Sequence, residues 1–149
     1  MRRIVTTVII GSAVLLAGCQ FETKAAPVAM KVGLYAPEKM EEPANTTVSV
    51  EIEHPDNVDE VHVQVTPYGS EETETFETTH RKGHYVSSIP FKQAGIYVVN
   101  GMVHSGEAVY TPKTLVRVGK VSDADFKDAQ ASFQSNVSTS GGHGHHHHH

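Results

Sequence analysis

The chain has 149 residues, 38% of them hydrophobic, one cysteine, and a formal charge of −5 when histidine is neutral. This length suits one domain with tails, and a single cysteine cannot form an internal disulfide, so the core must hold by packing. The sequence has no cluster of lysine and arginine to neutralise phosphates, and we therefore expect no nucleic-acid partner.

A basic and then apolar segment begins the chain. Arg2 and Arg3 precede an uncharged stretch over residues 4–18, which is shorter than the roughly 20 residues that span a bilayer. This pattern is typical of a secretory signal peptide, and its end, Leu16-Ala17-Gly18-Cys19, resembles a bacterial lipobox. We predict removal of residues 1–18 and an extracytoplasmic protein that is lipid-anchored to the cell membrane through Cys19. An uncleaved N-terminal anchor is the alternative.

After a predicted tether over residues 19–27, apolar and polar residues alternate with the period of half-buried β-strands. Seven strands are predicted between residues 28 and 119, near 28–34, 48–52, 61–65, 73–79, 85–91, 96–103 and 110–118. Residues 37–43 are expected to form an acidic loop. Pro112 is expected to interrupt the last strand or to mark it as an edge strand. Such a series predicts an all-β antiparallel sandwich.

One short motif specifies the type of sandwich. Gly95-Ile96-Tyr97-Val98-Val99 has the form of an immunoglobulin tyrosine corner, with Val99 where a disulfide-bonded domain carries cysteine. The sequence also contains no tryptophan. We therefore predict an immunoglobulin-like sandwich without the disulfide and tryptophan hallmarks.

A short helix is predicted over residues 120–134. Ser122 can cap its start, and Phe126, Ala129 and Phe133 would share the side that docks on the sandwich. Residues 135–149 are predicted to be a flexible, disordered, histidine-rich tail.

The tail carries the strongest chemical signal in the sequence. Histidine is a common ligand for Zn²⁺, Cu²⁺ and Ni²⁺, so the tail predicts a transition-metal site formed by His143, His145, His146, His147, His148 and His149. The alternative is an expression tag. A tag usually has six consecutive histidines, whereas here a glycine separates one from five, and the signal peptide is retained. If the tail is a tag, its metal role disappears.

A second metal-site hypothesis lies inside the domain. His104 and Met102 are two residues apart on one strand and therefore share a face, and a thioether beside an imidazole suits copper. His62 and His54 are expected to be solvated surface residues. His80 and His84 flank a turn and could meet, but the basic residues of that turn would oppose a dication.

Catalysis finds little support in the sequence. There is no free cysteine nucleophile and no Gly-x-Ser-x-Gly motif. Glu71, Glu72, Glu74 and Glu77 form an acidic run that is typical of a solvated face. We therefore expect a protein that is not an enzyme.

Residues 48–119 resemble the YtkA-like domain of bacterial envelope proteins, which is related to the FixH group. The resemblance is carried by Asn57-Val58-Asp59-Glu60-Val61, Gly83-His84-Tyr85, the tyrosine corner, Pro112-Lys113 and Val116-Arg117-Val118-Gly119. It implies a small, membrane-associated, non-enzymatic domain, and FixH relatives are linked to the assembly of copper-containing oxidases. Where many relatives carry candidate histidine and methionine ligands, this chain has Met102, Val109 and Thr111.

These patterns predict a lipoprotein that acts as a binding or accessory module. Its tail would buffer a transition metal near the membrane or hand it to a partner. The alternative function is a protein-binding accessory factor for assembling a membrane respiratory complex, with no metal role.

Overall fold

The computed structural model describes residues 30–140, with side chains to residue 135. The predictions for the signal peptide, Cys19, the tether and the histidines at positions 143–149 lie outside these residues. In chain order the elements are β1 Val32–Tyr35, β2 Lys39–Met40, β3 Asn45–Ile52, a 3₁₀ turn Pro55–Asn57, β4 Glu60–Pro67, β5 Glu74–Glu77, β6 Thr79–Arg81, β7 His84–Pro90, β8 Gly95–Ser105, β9 Ala108–Tyr110, β10 Lys113–Val118 and α1 Asp123–Ser140.

The strands form two sheets. One has the order β1-β3-β7-β6, and the other, called the six-stranded sheet below, has the order β2-β10-β8-β4-β5 with β9 paired to β8. Strand pairs are antiparallel except that β2 runs parallel to β10. These are the immunoglobulin orders A-B-E-D and A′-G-F-C-C′, in which the first strand divides between the sheets. The predicted immunoglobulin-like sandwich is confirmed.

Two predicted segments differ from the structure, and the expected break in the last strand is confirmed. The predicted acidic loop is wrong at Lys39 and Met40, which pair with β10 as a short strand. The predicted strand over 73–79 divides into β5 and β6 because the chain changes sheets at Thr78, whose hydroxyl donates to the Val61 carbonyl at 2.8 Å. Pro112 does break the last strand, separating β9 from β10.

Alternating valines form the core between the sheets. The inward residues of β3, β4, β8 and β10 include Val48, Val50, Val63, Val99, Val103, Val116 and Val118, all fully buried. The tyrosine corner is confirmed, since the Tyr97 hydroxyl donates to the Gln93 carbonyl at 2.7 Å. Burial of the ring raises the pKa of Tyr97 above its usual 10.0.

Helix α1 packs on the outer face of the six-stranded sheet. Phe126 and Ala129 are buried there with Leu115, against Ile96, Val98, Val121 and Phe133, in a cluster separate from the main core. The predicted cap is confirmed, because the Ser122 hydroxyl accepts the Asp125 N–H at 3.1 Å. Within residues 30–140, no helix combines the length and apolar character needed to cross a bilayer.

The helix is fixed at its start by one arginine. The Arg117 guanidinium lies 2.6 Å from a carboxylate oxygen of Asp123 and 5.1 Å from the centre of the Phe126 ring. The hydrogen bond and charge of Arg117 lower the pKa of Asp123 below its usual 3.8. Because α1 continues to Ser140, the prediction of a flexible tail is wrong for residues 135–140. Once a helix has docked, each added residue gains a hydrogen bond, so the helix continues beyond Phe133.

Phe126→Ala is expected to lower the free energy of unfolding by about 3 kcal/mol, because it empties the centre of the helix–sheet contact. Chemical denaturation of the purified chain measures this change. Val109→Ala is the control, since Val109 is 49% exposed and its truncation should cost less than about 0.5 kcal/mol. Equal costs for the two substitutions would show that α1 does not dock as described.

Candidate metal centre

The outer face of the six-stranded sheet has two parts. Its apolar part lies beneath α1. The other part, called the polar strip below, is formed by outward residues of β4, β8 and β5 and consists of Glu60, His62, Gln64, Glu77, Asn100, Met102 and His104. Successive strand residues point to opposite faces, so the buried valines of β4 and β8 place their polar neighbours on this side.

Antiparallel pairing of β4 with β8 brings the strip together. Glu60 lies opposite His104, and His62 lies opposite Met102. Residues paired in this way have Cβ atoms about 4.5–5.5 Å apart, close enough for their side chains to share a ligand. The two histidines are 42 residues apart in sequence, and only the strand pairing makes them neighbours.

Three ligand atoms converge at the end of the strip. One atom each from Glu60, His62 and His104 lies within 4.8 Å of the others. Oε1 of Glu60 is 3.0 Å from Nε2 of His62, and the two imidazole rings are 6.0 Å apart at 73°. Two imidazoles and a carboxylate form a common zinc donor set, which leaves a coordination position for water or another ligand.

His62 is held between two carboxylates. On the far side of its ring, Nδ1 lies 3.6 Å from Oε2 of Glu77, and this buried nitrogen has no hydrogen-bond partner. The Glu77 side chain is 84% exposed, so a small rotation can close the gap. Metal-binding histidines usually donate their second N–H to a carboxylate or carbonyl. Glu77 is placed to accept Nδ1–H and leave Nε2 for a metal.

The loops beside the site are cross-linked. The N–H of Asp59 donates to the His104 carbonyl at 2.8 Å, and the Asp59 carboxylate accepts the N–H of Gly106 at 2.7 Å. The Ser105 hydroxyl donates to the Asn57 carbonyl at 2.6 Å. These bonds tie the approach to β4 to the β8–β9 turn, so the backbones that carry Glu60 and His104 are fixed together.

The structure shows the surroundings of each histidine that the sequence analysis considered within the domain. His104 and Met102 do share a face, as expected. The prediction of a solvated His62 is wrong, because its side chain is only 16% exposed and pairs with glutamates. His80 stacks on Tyr85 at 4.5 Å, while Nδ1 of His84 lies 3.0 Å from a Glu51 oxygen, so these two histidines have different partners.

The acidic run is also divided. Glu77 joins the polar strip, whereas Glu72 and Glu74 line an open groove of about 540 Å³ near the opposite end of β4. Phe91 and Tyr97 supply aromatic walls to this groove. The groove lacks a convergent set of nitrogen ligands among the described residues that line it, and the group of side chains that could hold a metal ion lies instead on the polar strip.

No family model matches the chain, and no curated protein matches it. Among solved structures, an endo-β-1,4-mannanase from Thermotoga petrophila matches at a TM-score of 0.51 and 14% identity, over 66% of this chain and 22% of that one. Murine CRIg matches at 0.41 and 9% identity over 62% and 99% of the two chains, and titin domain M7 at 0.40 and 12% over 64% and 100%. The chain spans about a fifth of the length of the first structures it matches. The mannanase likeness concerns fold alone.

Paramagnetic Cu²⁺ should locate the site directly. In a chain truncated after Gly142, substoichiometric Cu²⁺ is expected to broaden the ring NMR signals of His62 and His104 first, because these imidazoles converge with a carboxylate. His54, exposed beside the 3₁₀ turn, is the internal control. Broadening of His54 at the same Cu²⁺ concentration would mean that the strip has no preferred site.

Proposed function

We propose that this chain is a lipid-anchored extracytoplasmic module that binds a transition metal on the polar strip. It acts as a binding or accessory protein and performs no catalysis of its own. The observation that carries the proposal is the convergence of Glu60, His62 and His104 within 4.8 Å on a cross-linked sheet end.

Partial burial favours ligation at this place. The His62 side chain is largely covered, but the Glu60 side chain is 58% exposed, so an ion can enter from solvent and still meet a preformed imidazole. Two nearby carboxylates, from Glu60 and Glu77, attract a cation and offset its charge. The domain thus offers an arranged donor set, whereas a flexible histidine tail would impose little geometry.

The tail has a separate role in the proposal. Its six histidines, if native, would collect Zn²⁺, Cu²⁺ or Ni²⁺ and raise the local concentration near the strip. The lipid on Cys19 would hold both sites close to the membrane, where the metal could be buffered or passed to a membrane protein. Because lipidation would occupy the one thiol, the protein's metal ligands would be histidine, carboxylate and methionine.

The resemblance to YtkA-like domains agrees with this role and is itself part of the proposal. A protein-binding accessory factor for a membrane complex is the competing function. It requires no metal, so a direct titration separates the two.

Calorimetric titration with Zn²⁺ tests the proposal. The chain truncated after Gly142 is expected to bind one equivalent, and His104→Ala in that chain should weaken binding at least about 10-fold, because one of three ligands is lost. His54→Ala is the matched control and should leave the affinity unchanged. If the truncated chain binds no Zn²⁺, or both variants bind alike, the strip is not a metal site.

Glu77→Gln is expected to weaken Zn²⁺ binding about 10-fold without changing the stoichiometry, because the neutral amide orients the His62 ring less strongly. Glu74→Gln, three residues earlier on the same strand, is the control. The same titration measures both variants. If Glu77→Gln binds Zn²⁺ with the same affinity as Glu74→Gln, Glu77 does not orient His62 for metal binding.

A further inference from the structure

Met102 lies on the same face of the six-stranded sheet as both imidazoles. It lies directly opposite His62 in the pairing of β4 with β8, and two residues before His104 on the same face. Its Cβ atom is therefore about 5 Å from that of His62. A methionine side chain has three rotatable bonds, so the thioether can turn toward a shared ligand without moving the backbone.

The present partner of this sulfur is weak. Nδ2 of Asn100 contacts Sδ of Met102 at 3.3 Å, and a thioether is a poor hydrogen-bond acceptor. Oδ1 of Asn100 is buried without a hydrogen-bond partner. Among the described residues, the buried side-chain polar atoms that lack a partner are this oxygen and Nδ1 of His62, and both belong to the polar strip. The Met102 sulfur therefore loses little when it turns from Asn100 toward a metal.

We propose that the strip contains two overlapping donor sets, and that Met102 makes it a site for monovalent copper. This inference rests on the proposed metal-binding function. His62 and His104 are common to both sets. With Glu60 they bind a divalent ion such as Zn²⁺, and with Met102 they bind Cu(I).

The chemistry of the donors separates the two ions. A thioether is a soft ligand that Cu(I) accepts well, whereas Zn²⁺ is held by imidazole, thiolate and carboxylate. The carboxylate of Glu60 is a hard donor and contributes little to a soft monovalent ion. Loss of Met102 should therefore affect Cu(I) alone, and loss of the Glu60 charge should affect Zn²⁺ alone.

A local spectroscopic readout tests the thioether in the full chain. The chain has four methionines, so ¹³C labelling of their methyl groups gives few signals, and the Met102→Leu variant identifies that of Met102. Cu(I), added as its acetonitrile complex under nitrogen, is expected to shift the Met102 methyl signal. The shift should reach its limit when one Cu(I) ion is bound to the strip. Zn²⁺ should leave a smaller shift or none. An unmoved Met102 signal at saturating Cu(I) would overturn the inference.

Affinities give a second and independent test. The test uses the full chain with asparagine in place of the six tail histidines, and Cu(I) affinity is measured by competition with a chromogenic chelator. Met102→Leu should weaken Cu(I) binding at least about 10-fold and leave Zn²⁺ binding unchanged. Glu60→Gln should do the reverse. Met40→Leu, on β2, is the control for removal of a thioether away from the strip.

The outcomes separate this inference from the proposed function. If Zn²⁺ binds with dependence on Glu60 but Cu(I) is indifferent to Met102, the strip is a metal site and the copper inference is wrong. If neither ion binds the tail-substituted chain, the proposed function itself fails. If Met102→Leu and Met40→Leu weaken Cu(I) equally, the loss reflects general destabilisation, and the inference is again overturned.

Discussion

The register between β4 and β8 fixes both the core of the sandwich and the arrangement of the polar strip. It places Val61, Val63 and their partners in the core and, on the opposite face, sets His62 against Met102. A slip of one residue would turn the valines to solvent and disperse the polar strip. Burial of the valines therefore also holds the proposed donor set in place, because the buried and the outward residues of β4 and β8 share one register.

Helix α1 decides how much of that outer face stays open. It covers the apolar residues of β8 and β10, and the strip begins where the buried contacts of the helix end. Strand β8 accordingly changes character along its length, from Ile96 and Val98 beneath the helix to Asn100, Met102 and His104 beyond it. A single strand thus carries both the surface on which α1 docks and residues of the proposed donor set, while its alternate residues pack in the main core.

Local patterns predicted much of this fold because they report burial directly. Alternation located the main strands, and the Gly95–Val99 motif identified the tyrosine corner. The sequence patterns could not predict which strands, distant in sequence, pair with one another. His104 and Met102 were recognisable as a pair because they share one strand, whereas His62 belongs to another strand and meets them only through the pairing of β4 with β8. The crossing at Thr78 and the two-residue strand β2 were missed for the same reason, since partners elsewhere in the chain stabilise both.

A crystal structure of the chain with Zn²⁺, with anomalous scattering recorded at the zinc edge, would show whether the polar strip holds the ion. We expect an anomalous peak about 2.0–2.2 Å from a nitrogen of His62, a nitrogen of His104 and an oxygen of Glu60. An ordered polar strip with no ion beside it at saturating Zn²⁺ would show that Glu60, His62 and His104 do not form a metal site.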